Sequence, residues 1–239
     1  MISDVHANLA ALEAVLAELD ASRPDELWCL GDLVGYGAKP NECTRTIAGR
    51  ASFCLAGNHD LAVRGTIDLA DFSGDAGTAA AWTRDVLEDD ARTFLDGLDV
   101  QGTRDGVELY HGSARDPVWE YVLSDESAIV TLALTEAPVV LVGHSHVALH
   151  VAVEDLSLVE GGLAAGGSTF NLGGRRCLLN PGSVGQPRDG DPRAAWLELD
   201  FDTQTGTFKR TDYDIERTQR EIRDAGLPEV LARRLSLGT

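Results

Sequence analysis

Ala51-Ser52-Phe53-Cys54-Leu55-Ala56-Gly57-Asn58-His59-Asp60 is a short apolar run that stops at a glycine followed by three polar residues. A run of this length reads as a buried strand, and the glycine turn marks its end. The pattern also occurs upstream, where Glu26 to Leu30 runs into Gly31-Asp32. Between the two, Pro40 to Arg50 has the length and composition of a connecting helix. Ahead of them, Asn8 to Asp20 places Leu9, Leu12, Val15, Leu16 and Leu19 at helical spacing, with Asn8 as N-cap. The N-terminal part of the chain therefore reads as a β-α-β-α-β progression whose polar residues gather at the C-terminal strand ends.

Outward from this core the pattern continues. Asp75 to Leu98 is rich in helix formers, with Ala80, Val86, Leu87, Phe94 and Leu95 available for a buried face, and predicts one or two helices. Val107 to Tyr110 returns to strand and runs into His111-Gly112. A helix near Asp125 to Thr135 then leads to Pro138 to Val142 and Gly143-His144-Ser145-His146. Ala148 to Glu154, Ser168 to Leu172, Arg176 to Leu179, Ala194 to Phe201 and Thr207 to Tyr213 alternate with Gly, Asn and Asp turns, which predicts consecutive antiparallel strands. The tail from Ile215 to Leu237 is helical in composition, interrupted by Gly226 and Pro228. No repeat, low-complexity segment or linker divides the chain, so residues 1–239 read as one domain that includes the helical segment about 75–98 and the tail about 215–237.

Composition narrows the function. With 39 acidic against 20 basic residues the net charge is −19, which disfavours generic binding to nucleic-acid backbones or anionic membranes. Compact anions remain acceptable where metal ions reverse the local sign. Lys39 and Lys209 are the only lysines. The acidity therefore fits either adaptation to a high-salt cytoplasm or a GC-rich genome that prefers Arg to Lys. Cys29, Cys43, Cys54 and Cys177 form no C-x-x-C pair and follow no secretory h-region, so reduced thiols and a cytoplasmic location are expected.

Five of the six histidines sit at predicted strand ends beside Gly, Asn or Asp; His150, inside a strand run, reads as structural. In Asp4-Val5-His6 the two outer side chains fall on one side of an extended segment, because side chains alternate with period two. Asp32, Asn58, His111, His144 and His146 follow in series at strand ends, where a parallel sheet gathers ligands. Three oxygen donors (Asp4, Asp32 and Asn58) mixed with four imidazoles and no thiolate point to a borderline divalent ion, manganese first, with Fe, Ni, Co or Zn also compatible. Seven ligands exceed the need of one ion, and two ions sharing a carboxylate account for the count.

This series, Asp4-Val5-His6, Gly31-Asp32, Gly57-Asn58-His59-Asp60, His111-Gly112 and Gly143-His144-Ser145-His146, resembles that of the calcineurin-like metallophosphoesterases in order and spacing. Asn180-Pro181-Gly182-Ser183-Val184-Gly185-Gln186-Pro187-Arg188 resembles the small prokaryotic phosphodiesterase branch of that family. The resemblance implies an α/β fold of two mixed β-sheets packed as a sandwich and flanked by α-helices, with the metals at the C-terminal strand ends. It assigns Asp4, His6 and His146 to one metal, Asn58, His111 and His144 to the other, and Asp32 to both. It implies a metal-bridging hydroxide as nucleophile, with His59 as an imidazolium outside the metal shell and Asp60 orienting its ring. Ser145 stands where Thr is common in the family.

The activity so implied is hydrolysis of a small phosphodiester. A phosphomonoesterase, a dinucleoside polyphosphate hydrolase and a non-catalytic protein-binding scaffold of the same fold are the alternatives, and the sequence allows a homo-oligomer. Candidate substrate contacts are Asn8, whose other role is the N-cap, and Tyr36 in Gly35-Tyr36-Gly37. Arg115 and Trp119 after the His111 loop, and Arg188, complete the set. Only Met1, Ile2 and Ser3 precede Asp4, too few for a full strand, so ladder hydrogen bonds are expected to be unmade beside the metals and a start upstream of Met1 is expected.

Overall fold

The computed structural model describes residues 1–72 and 74–239. In chain order the elements are α1 (Leu9–Ser22), β1 (Trp28–Cys29), α2 (Pro40–Arg50), β2 (Phe53–Cys54), α3 (Asn58–Arg64), a 3-10 turn (Leu69–Asp71), α4 (Gly74–Val86) and α5 (Asp89–Asp96). Then follow β3 (Gln101–Arg104), β4 (Val107–Tyr110), α6 (Asp125–Ala133), β5 (Val139–Leu141), β6 (Ala148–Glu154), β7 (Ser157–Leu163), β8 (Thr169–Asn171), β9 (Arg176–Pro181), β10 (Ala194–Asp200), β11 (Thr205–Thr211), α7 (Ile215–Asp224) and α8 (Glu229–Leu235). As predicted, Asn8 caps α1, its Oδ1 accepting from Ala11 N at 3.2 Å. No helix among the described residues is long and apolar enough to cross a membrane.

One sheet has the order β3-β4-β5-β9-β6-β7, with β4, β5 and β9 parallel and antiparallel partners on both flanks. The opposing layer contains the parallel pair β1-β2 and the antiparallel set β10-β11-β8. Residues 1–5 join these two pieces, and here the expectation of unmade ladder bonds is corrected. Ile2 N donates to Trp28 O and Ile2 O accepts from Leu30 N, while Met1 and Leu197 exchange N–H donors across the other side. Val184 N and Gly185 N donate to Ser3 O and Asp4 O. The slot between β1 and β10 is short, so few residues fill it.

The two mixed sheets pack face to face, and side-chain alternation explains the apolar runs read from the sequence. Trp28 and Leu30 face the layer between the sheets with Leu109, Leu141, Leu179 and Phe208, whereas Cys29 faces Leu12, Val15 and Ile47 of the helical layer. In the six-stranded sheet Val140 and Leu178 turn the other way, onto Ala128 and Leu132 of α6. Strands buried on both faces read as unbroken apolar runs. Helices α7 and α8 pack on Ala79 of α4 through Ile222, Leu231 and Leu235, with Tyr36 against the same cluster.

Three elements were not expected from sequence. Helix α3 begins at Asn58, so its polar first turn reads as a loop. Strand β3 is an edge with Gln101 and Thr103 exposed, and every residue of β7 is exposed, so neither shows a buried alternation.

Candidate metal centre

Asp4 and His6 follow the short joining segment, Asp32 follows β1, Asn58 opens α3 after β2, His111 follows β4, and His144 and His146 follow β5. The sheets thus bring all seven predicted ligands to one end, and none is more than 4% exposed. The basis given for Asp4 and His6 needs correction. They do not lie on an extended segment: Asp4 (φ 54) and His6 (φ 48) are left-handed, as are Asp32 (φ 52), His144 (φ 61) and His146 (φ 59). Non-glycine residues seldom adopt this conformation, and such strained positions persist where the surroundings over-determine them. Here it swings each side chain off its strand end into a common centre.

Two clusters result. In the first, His6 Nε2 lies 3.0 Å from His146 Nε2, His146 Nε2 lies 3.4 Å from Asp4 Oδ1, and His6 Nε2 lies 3.6 Å from Asp32 Oδ2. In the second, His111 Nε2 lies 3.2 Å from His144 Nδ1, 3.3 Å from Asn58 Oδ1 and 3.5 Å from the same Asp32 Oδ2. Asp32 belongs to both clusters.

Hydrogen bonds behind the rings show that these contacts suit cations. The Nδ1 atoms of His6, His111 and His146 face the carbonyls of Val34 (3.1 Å), Leu30 (2.8 Å) and Gln186 (2.6 Å). A carbonyl only accepts, so each Nδ1 carries a proton, and the neutral ring then presents the Nε2 lone pair to the cluster. The Nε2 lone pairs of His6 and His146 therefore face each other with no proton between them. Asp4 Oδ1 and Asp32 Oδ2 are buried without a hydrogen-bond donor. Burial raises the Asp4 pKa to about 7 and that of Asp32 well above the carboxylate range. Burial also lowers His6 and His146 well below the usual imidazole range, and His144 to about 2. One divalent cation in each cluster would satisfy the lone pairs and orphaned oxygens and offset the cost of the buried carboxylates. The donor set fits two ions.

The loop from Asn180 to Arg188 supports this end of the sheet. Ser183 Oγ donates to Asp4 O at 2.8 Å, Gln186 O holds His146, and Asn180 Nδ2 donates to Gly143 O (2.7 Å) and Ser145 Oγ (3.0 Å). Residues 1–203 match the calcineurin-like phosphoesterase superfamily domain. The chain belongs to the calcineurin-like phosphoesterase superfamily. It is 35% identical to an uncharacterized protein of Methanocaldococcus jannaschii, over 100% of this chain and 97% of that protein. It superposes on a metallophosphoesterase from Sphaerobacter thermophilus with a TM-score of 0.90 and 41% identity, covering 100% of this chain and 98% of that one. A hypothetical protein from Pyrococcus horikoshii shares the fold, with a TM-score of 0.82 at 18% identity over 100% of this chain and 97% of that one.

In this metallophosphoesterase a cavity of about 190 Å³ opens over the two clusters, lined in part by His59, Tyr36, Trp119 and Arg188. Those four predicted residues do meet at the site. Other predictions are corrected. Asp60 does not orient the His59 ring: its Oδ1 accepts from Leu33 N (3.0 Å) and Val34 N (3.2 Å), and its Oδ2 from Gly57 N (3.0 Å). It ties the loop after β1 to the start of α3. For His59, burial, with the charge of Arg188, pushes the pKa down to about 3, which disfavours the imidazolium that the resemblance implies, and its Nδ1 has no partner.

Asn8 is fully engaged as a structural residue, its Nδ2 donating to Gly185 O (2.8 Å) and its Oδ1 accepting from Thr218 Oγ1 (2.8 Å) as well as Ala11 N. Arg115 points to solvent and pairs with Glu120. The sequence reading missed Phe72 and Tyr121 on the cavity wall. Tyr121 stacks on His144, with ring centroids 4.3 Å apart and planes at 14°. Its signal was an aromatic two residues beyond Trp119 in the same loop. His150 is structural as expected, its ring 4.8 Å from that of Phe170.

Proposed function

We propose that this metallophosphoesterase hydrolyses phosphodiester bonds, using two divalent ions. The observation that supports the diester is the cavity wall, which Tyr36, Phe72, Trp119 and Tyr121 line together with one guanidinium, Arg188, and one carboxylate, Asp71. A diester brings one negative charge and two organic arms, and aromatic faces with one cation complement it. A monoester lacks the second organic arm that these aromatic faces would cover.

Asp4, His6 and His146 would hold one ion, Asn58, His111 and His144 the other, with Asp32 within reach of both. Oxygen and imidazole donors suit manganese, with Fe, Ni, Co and Zn also accommodated. When bound, the pair supplies Lewis-acid stabilisation of phosphoryl oxygens and water acidified to near neutrality. The chain's own residues position the substrate. Arg188, whose Nε is buried without a partner, donates to a phosphoryl oxygen, and the neutral His59 ring beside it hydrogen-bonds the phosphoryl group. A protein-binding scaffold of this fold has no use for seven buried ligands with unsatisfied atoms, which favours the enzyme.

Turnover of bis-p-nitrophenyl phosphate and p-nitrophenyl phosphate by the metal-loaded protein tests the proposal. The diester is expected to have the higher kcat/KM, by about tenfold or more, roughly 1.4 kcal/mol in the barrier. A preference for the monoester would overturn the diester assignment.

A further inference from the structure

Gly35-Tyr36-Gly37 lies just beyond Asp32 and carries Tyr36 into the wall of the cavity over the metal clusters. The backbone of this turn suits glycine better than tyrosine. Gly35 (φ 87) and Tyr36 (φ 58) are both left-handed, a conformation Tyr36 shares with the ligands Asp4, His6, Asp32, His144 and His146. A bulky residue in that region is an outlier that persists only where its surroundings over-determine it. A tyrosine kept there points to a task for its side chain.

The flanking glycines press the turn onto the site. A Cβ on Gly35 would lie 2.3 Å from His59 Nδ1, and one on Gly37 would lie 2.4 Å from His6 O. Between them the tyrosine touches three groups. Its ring centroid is 4.6 Å from that of His6, a ligand of the first cluster, and 4.4 Å from that of His59. The Arg188 guanidinium carbon is 5.7 Å from the ring centroid, and Arg188 Nη2 donates to the Tyr36 hydroxyl at 3.3 Å.

Arg188 Nη2 also donates to Gln186 Oε1 at 3.2 Å. Burial raises the Tyr36 pKa, so both acceptors are neutral oxygens. They fix the guanidinium without cancelling its charge, which stays available to an anion. A carboxylate in place of the hydroxyl would neutralise that charge, and an apolar side chain would leave the guanidinium freer to rotate. Gln186 and Arg188 are in turn tied to the first cluster, since Gln186 O faces His146 Nδ1 at 2.6 Å and Arg188 N donates to His146 O at 3.1 Å. Tyr36 and Gln186 thus connect one guanidinium to the two histidines of that cluster.

We propose that Tyr36 is a positioning residue, whose hydroxyl and ring fix the Arg188 guanidinium beside the metal clusters and so set how tightly a phosphoryl group is held. The proposal rests on the reading that Arg188 meets the phosphoryl group. It does not depend on which ester is hydrolysed, a question that the paired turnover assay decides by itself.

Affinity of the manganese-loaded protein for inorganic phosphate, measured by calorimetry, tests the proposal without turnover. Four proteins are compared: the parent, Tyr36→Phe, Arg188→Ala and the double variant. Tyr36→Phe keeps the ring and removes only the hydroxyl, and is expected to weaken phosphate binding about tenfold at the metal content of the parent. In the Arg188→Ala background the same change is expected to have less than about a twofold effect, because the group it acts through is gone. Parent-like affinity in Tyr36→Phe with weakened binding in Arg188→Ala would overturn the role of Tyr36 and leave that of Arg188 standing. An equal loss from Tyr36→Phe in both backgrounds would show that the hydroxyl acts without Arg188, and would also overturn the proposal. Parent-like affinity in Arg188→Ala would reject the phosphoryl contact of Arg188 and the positioning role with it.

Discussion

Asp32→Asn is expected to lower phosphoesterase turnover by more than about 100-fold, since loss of even an outer-shell partner of a metal site costs roughly 10- to 100-fold. Asp32 Oδ2 is the atom common to both clusters, 3.6 Å from His6 Nε2 and 3.5 Å from His111 Nε2. Asparagine keeps the size of the side chain, and its carbonyl oxygen can still accept from His59 N, a bond that Asp32 Oδ1 makes at 2.9 Å. The local fold should therefore survive.

Stability is expected to move the other way in the metal-free protein. There the Asp32 charge is buried with one oxygen unpartnered, and removing it relieves an uncompensated cost. Thermal unfolding with and without chelator reads both effects: the variant should melt higher than the parent without metal and gain less from added metal. Unchanged turnover would remove Asp32 from its shared position.

Gly57→Ala is expected to be nearly as damaging, although it adds one methyl group to a residue that holds no metal. A Cβ at this position would lie 2.1 Å from Asp32 Oδ1 and 2.6 Å from His111 Cε1. Neither neighbour can yield freely, because Asp32 Oδ1 is held by His59 N and the His111 ring by Leu30 O. Room for the methyl has to come from displacing a ligand. Positioning errors of this kind cost about 100-fold in rate. Metal affinity and turnover should fall together while circular dichroism stays that of the parent. A variant with full metal content and activity would show that the centre tolerates more slack than these distances allow.

Much of this architecture was legible in the sequence, because buried strands and metal ligands leave local signatures. Trp28 to Leu30 and Val139 to Leu141 are apolar at every position since both faces of each strand are covered. The seven ligands stand beside glycines and strand ends, where few other roles suit His and Asp. What was not legible depends on tertiary hydrogen bonds. Nothing local shows that Asp60 faces Leu33 and Val34 rather than His59, or that Thr218, distant in sequence, occupies the Asn8 carbonyl.

The wall was hidden for a related reason. Phe72 and Tyr121 belong to two segments with no motif of their own, and only packing brings them to the wall with Tyr36 and His144. The left-handed backbone at Asp4 and His6 replaced the extended geometry assumed for them, yet the outcome was the same shared centre.

Counting the metal ions in the active protein tests the central claim most directly. Elemental analysis of protein reconstituted to full turnover should find two divalent transition-metal ions per chain, with turnover lost on chelation and recovered as both sites refill. Full turnover in metal-free protein, or with a single ion per chain, would contradict the two-metal centre.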